Sequence, residues 1–266
     1  MKPSIRYGAL TCAVILGACT KDATGPDAQT PLLNADLAVV MADAVGEDVD
    51  IMREPVFFPS MGPSFGPGFG DMNPANCVHN PLSQRLACVP VARGSLVITR
   101  SYMFWDANNV VQDAFDAQLT AKANINTTIL GETEGENWSA SIDRFRDMTV
   151  TGLVGTETQR TWNGDGEDHL SRSRHNEAGE RTYQIDCTLE VVNVVVPVPD
   201  GTGDRFPISG TITRRCTVTF SGGPRGGQTV ERTLVVTFNG SPTATLTVGG
   251  RSFDIDLKLR RRFERP

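Results

Sequence analysis

The chain has 266 residues, a length that suits one large all-β domain or two small ones and supports a hydrophobic core without metals or oligomerisation. At 39% hydrophobic and 21% charged it is too apolar for wholesale disorder, and no apolar run reaches the roughly 18–20 residues of a membrane helix. A net charge of −6 argues against nucleic acid as a partner.

Lys2 and Arg6 make a short positive region, and Ala9 to Ala18 form a compact apolar stretch ending in small residues, the layout of a secretory signal. The stretch closes with Leu16-Gly17-Ala18-Cys19. This resembles the lipobox of bacterial lipoproteins, in which an aliphatic residue and two small ones precede a cysteine that is diacylated before cleavage. The resemblance implies that residues 1–18 are a lipoprotein signal peptide and that Cys19 becomes an acylated N-terminus held in membrane lipid. Thr20 stands where an aspartate would retain such a protein at the inner membrane, so the implied address is the outer membrane if the host has one. Loss of Lys2 and Arg6 makes the mature chain two units more negative. The acyl chains, not charge, would therefore hold it to lipid.

Residues 19–33 read as a polar tether containing Gly25, Pro26 and Pro31. Asn34 is the expected cap of a short helix over 34–46, with Leu37, Val40, Met41 and Ala44 along one stripe. Asp43, Glu47, Asp48 and Asp50 make its far end acidic, the end less favourable for anions. Residues 47–84 form a Gly/Pro/Phe-rich irregular segment whose densest part, 55–76, carries too many breakers for a regular element. The expected role of that part is a strap over the domain's own apolar surface, with an aromatic loop reaching a partner, ligand or lipid as the alternative. Within it, Gly62-Pro63-Ser64-Phe65-Gly66 has the spacing of a hydrolase nucleophile elbow. It lacks the strand before and helix after that expose such a serine, so no enzyme is expected.

Residues 85–266 are the predicted antiparallel β domain. Odd positions from Val111 to Ile129 are mostly apolar, with a break at Asp113, and similar alternation recurs at Tyr183–Val191, Ile208–Phe220, Val230–Phe238 and Phe253–Leu259. Turn signals separate such runs at Asn163-Gly164, Glu177-Ala178-Gly179, Gly222-Gly223, Asn239-Gly240 and Gly249-Gly250. Connections this short imply a meander. Strands with one oily face predict a mainly β fold of about nine or ten strands in a strongly curved sheet or barrel-like structure, with the short N-terminal helix against it.

Cys12 leaves with the signal and Cys19 carries lipid, so Cys77, Cys88, Cys187 and Cys216 remain, with three pairings open. Cys187 and Cys216 lie on the apolar parity of two strands flanking the turn-rich residues 197–204. Aligning them sets Ile185 against Val218, Leu189 against Arg214 and Val191 against Ile212, which predicts a Cys187–Cys216 disulfide and leaves Cys77 to Cys88. Arg214 is discordant on that face. It must reach an acid or the sheet edge, or sit at a bulge.

No metal or cofactor is expected. There is no CxxC pair, and His169 and His175, six residues apart, lie about 20 Å apart on a straight strand. Asn163-Gly-Asp-Gly-Glu-Asp-His169 offers oxygen ligands but misses the EF-hand pattern, and reads as a hairpin with an acidic tip. The basic run Arg260–Arg265 reads as a solvated strand end. The expected function is a membrane-anchored, non-catalytic lipoprotein with an envelope binding or structural role and an envelope protein as partner. The alternative is a carrier of a hydrophobic small molecule in the concave face of the sheet, with no ligand-binding residue singled out. Whether side chains fill that face separates the two.

Overall fold

The computed structural model describes residues 29–53 and 77–264, apart from 117, 136, 154, 177–178, 199–205, 222–225 and 259–260. It opens with a helix, α1 (Gln29–Arg53), and continues with strands alone. These are β1 (Cys77–Asn80), β2 (Arg85–Cys88), β3 (Val91–Arg93), β4 (Leu96–Asp106), β5 (Val111–Gln112), β6 (Thr120–Gly135) and β7 (Trp138–Thr151). They are followed by β8 (Gln159–Asn176), β9 (Gly179–Pro197), β10 (Ser209–Phe220), β11 (Thr229–Thr237), β12 (Thr243–Val248), β13 (Arg251–Asp256) and β14 (Arg261–Glu264).

All fourteen belong to one antiparallel sheet with the order β1-β2-β4-β6-β7-β8-β9-β10-β11-β12-β13-β14, and β3 and β5 flank β4. The path is open, with no pairing of β1 to β14 among the described residues. The fold is thus the expected mainly β antiparallel meander with an N-terminal helix, but the strand count exceeds nine or ten. The excess comes from β1, β2, β3, β5 and β14, each of two to four residues. Segments that short show no alternation to read.

The alternating pattern sets the inner face. Ile98, Tyr102 and Phe104 of β4, Met148 and Val150 of β7, Ile185 and Leu189 of β9 and Leu234 and Val236 of β11 are all buried. The run expected from Val111 to Ile129 is broken. Asp116 accepts the backbone N–H groups of Gln118 and Leu119 at 2.8 and 3.0 Å in a local turn, and Leu119 is left 60% exposed. Asn163-Gly164 is likewise not a turn, because it lies within β8, where the register to β9 shifts between Trp162 and Gly164. The Asn193 N–H donates to Asn163 Oδ1 at 2.9 Å, and Asn193 adopts a φ of 49°. Asparagine tolerates that left-handed conformation, so these residues serve a bulge in continuous strands. Asn239-Gly240 and Gly249-Gly250 do connect strands.

α1 departs most from expectation. It has 25 residues, about 37 Å of helix, instead of covering 34–46, and it takes in part of both the expected tether and the expected irregular segment. Pro31 falls in its first turn, where a missing N–H is harmless. Asn34 is not a cap; inside the helix its Oδ1 accepts from Arg232 Nε of β11 at 3.1 Å. Leu33, Leu37, Ala38, Met41, Ala42, Ala44, Val45, Val49 and Met52 are at most 1% exposed, which spreads burial over about half of the circumference, a face that contains the expected stripe and is wider than it. α1 and the inner faces of β4 and of β6 through β13 share one hydrophobic core.

Candidate functional site

Charged residues stand on the inner face among the apolar ones. Arg144 and Arg146 of β7 share the parity of Ala140, Ile142, Met148 and Val150, Asp168 of β8 shares that of Leu170, and Arg214 of β10 shares that of Ile212 and Cys216. All four are buried, and Asp168 is fully so. Asp168 Oδ1 accepts from Arg144 Nε at 2.7 Å and from Arg146 Nη2 at 2.8 Å, while Oδ2 accepts from Arg214 Nε at 3.2 Å. From the helix, Asp48 accepts from Arg146 Nε at 2.7 Å and from Arg214 Nη2, and Glu47 accepts from Arg144 Nη1. Three guanidinium groups thus meet three carboxylates, and their formal charges balance.

Backbone geometry makes room for it. Gly166 of β8 lies opposite Arg146, and a Cβ there would stand 2.4 Å from the Phe145 carbonyl oxygen and 2.9 Å from Arg146 Cδ. Burial opposes the charge on Asp168, but Arg146, Arg144 and Arg214 together hold its carboxyl far below the ordinary carboxylate range. Burial also opposes the charge on Arg146, and Asp168 and Asp48 outweigh it, so that guanidinium is raised. For Arg144 burial outweighs the attraction of Asp168 and lowers the group to about 10.

Beside this cluster lies a cleft of about 200 Å³. Val40 and Glu47 of α1, Leu96 of β4, Thr133 of β6, Trp138, Ala140, Ile142 and Arg144 of β7, and Leu170 and Arg172 of β8 line it. Its origin is local. Leu96, Gly131, Ile142 and Leu170 form one cross-strand row, and Gly131, with φ 140°, contributes no side chain between Leu96 and Ile142. A Cβ at Gly131 would stand 2.2 Å from the Ser95 carbonyl oxygen. In the next row Thr133, Ala140 and Arg172 are aligned, and the small alanine deepens the floor. The Arg172 guanidinium lies 4.6 Å from the centre of the Trp138 ring. Arg144 closes the inner end, and its hydrogen bonds to described residues use Nε and Nη1 and leave Nη2 without one.

The chain matches no protein-family model, no curated protein and no solved structure. Its chemistry rests on its own residues.

Both cysteine pairs form disulfides. Cys187 faces Cys216 in the β9–β10 register, with Ile185 opposite Val218, Leu189 opposite Arg214 and Val191 opposite Ile212. Cys77 faces Cys88 across β1 and β2. Neither pair lines the cleft. Cys19, the segment 55–76 and Ser64 within it lie outside the described residues. His169 stands on the outer face, where its Nδ1 lies 2.9 Å from Asp186 Oδ1, and that hydrogen bond raises its pKa.

The acidic hairpin tip expected at 163–169 is corrected. The segment is the middle of β8, and Asp168 turns inward to three arginines instead of outward to solvent. Asp168, Arg144, Arg146 and Glu47 are the residues that sequence reasoning missed. The signal was present in the two arginines sharing an apolar parity with Ile142 and Met148, since buried guanidinium groups require buried acids.

Proposed function

We propose that the chain is a lipid-anchored protein of the bacterial cell envelope, at the outer membrane where the host has one, with a non-catalytic binding or structural body tethered through acylated Cys19. Leu16-Gly17-Ala18-Cys19 after a basic, apolar leader supports the anchor. The observation that carries the reading of the body is the place of α1. Its residues from Leu33 to Met52 occupy the apolar face and join the sheet in one core. That occupancy favours a rigid body over a hollow carrier, because the volume a carrier would offer its ligand is taken by protein side chains. The cleft beside Arg144, about 200 Å³, is below the roughly 300–1,000 Å³ of ordinary ligand pockets. In this reading the sheet curves around α1, a shape supported by burial of a broad face of the helix and by its side-chain bonds to β7, β10 and β11.

The anchor is tested by intact-mass analysis of protein from the membrane fraction of its own host. Wild type carries the mass of the acyl groups on Cys19, and Cys19→Ala accumulates as unlipidated precursor. Normal cleavage of wild type with no acyl mass contradicts the proposal.

A further inference from the structure

We propose that the cleft between α1 and the β4–β8 part of the sheet binds a small amphipathic carboxylate, with its apolar body on Leu96, Ile142 and Leu170 and its oxygens at Arg144. Three observations carry this. Six of the ten lining residues are apolar, and Gly131 and Ala140 leave space where larger side chains would close the row. Arg144 is 4% exposed, yet its Nη2 makes no hydrogen bond to a described residue, so a nearly buried donor is available at the cleft's inner end. The lining also holds the Arg172 guanidinium, 4.6 Å from the Trp138 ring centre, a second group of the sign that an anion prefers.

Size narrows the class. The volume somewhat exceeds the ~150 Å³ cavity that accepts a benzene ring, which suits a single ring or a short alkyl chain and excludes a two-chain lipid. Of the three arginines that meet Asp168, Arg144 is the one that lines the cleft, and there burial outweighs the attraction of Asp168. An arriving carboxylate finds a donor there in Nη2, which makes no hydrogen bond to a described residue. The site stands apart from the anchor: an unacylated Cys19 leaves it intact, and an empty cleft leaves the anchor intact.

The test uses the full-length chain and titrates octanoate, octan-1-ol and octylammonium by calorimetry, with ligand-observed NMR for weak binding. Octanoate binds at least about tenfold more tightly than the alcohol, in line with a hydrogen bond to a charged group, and octylammonium binds worst. Arg144→Gln removes the preference for octanoate over octanol. Ala140→Leu lies outside the ionic cluster, fills the floor and abolishes binding of both, and a thermal melt of each variant confirms a folded chain. Equal affinity for octanoate and octanol, or undiminished binding by Ala140→Leu, overturns the proposal. So does an absence of binding to all three probes at millimolar concentration.

Discussion

Asp48 of α1 and Arg214 of β10, 166 positions apart in sequence, are hydrogen-bonded in the core, each 1% exposed. The pair explains how an arginine can occupy the apolar face of β10 and how a helix can continue through an acidic segment. Each residue is unfavourable in its own element. Together, with Arg146 bridging Asp48 to Asp168, they tie α1 to β7, β8 and β10.

Removing one partner leaves a buried charge without compensation, and that loss typically costs about 3–5 kcal/mol. Asp48→Ala therefore destabilises the chain by about that much in urea unfolding. Replacing Asp48 and Arg214 together with Leu and Met costs less than the sum of the single changes, because the buried charges leave as a pair. Additive effects in that cycle contradict the coupling.

Asp168 makes the fold acid-sensitive. A carboxyl whose folded-state pKa is depressed gives stability that is fully present above its unfolded value, about 3.9, and is lost as pH falls below it. Unfolding free energy measured from pH 6 downward should decline progressively below about pH 5. Asp168→Asn lowers stability at neutral pH and flattens that decline, since the variant has no proton to gain at this position. An unchanged slope rules out Asp168 as its source.

The two disulfides close loops of different size, with sequence separations of 29 for Cys187–Cys216 and 11 for Cys77–Cys88. The chain-entropy relation gives about 3.5 kcal/mol for the longer loop and about 3 for the shorter. Cys187→Ala with Cys216→Ala adds a core defect, because both cysteines are buried among apolar neighbours. Thermal melts should therefore fall further for this double variant than for Cys77→Ala with Cys88→Ala.

Gly166→Ala tests the space that β8 leaves for Arg146. The added methyl meets a backbone carbonyl at 2.4 Å, so either β7 and β8 separate or Arg146 moves from its carboxylates. Either outcome places the variant among severe substitutions, at about 2–4 kcal/mol. Hydrogen exchange of the β7–β8 backbone amides should rise, with little change in β12 and β13. Uniform exchange across the sheet contradicts a local cause.

The alternation of apolar and polar residues determined by itself that the chain is an antiparallel meander, because a strand exposes successive side chains to opposite faces and short connections permit no other arrangement. It also set the β9–β10 register and with it the Cys187–Cys216 pairing, since a slip of one residue would turn every apolar side chain outward. What the tertiary structure alone decided is where the charged exceptions go. Asp168 has the local features of a turn, with Asn163, Gly164 and Gly166 just before it, and only its arginine partners on β7 and β10 draw it into a continuous strand. The length of α1 was hidden for the same reason. Glu47 and Asp48 weaken a helix end in isolation, and arginines nearly 100 and 166 residues away reverse that effect. Periodicity reports which face a residue occupies, whereas the partner of a buried charge depends on which distant strand lies beside it.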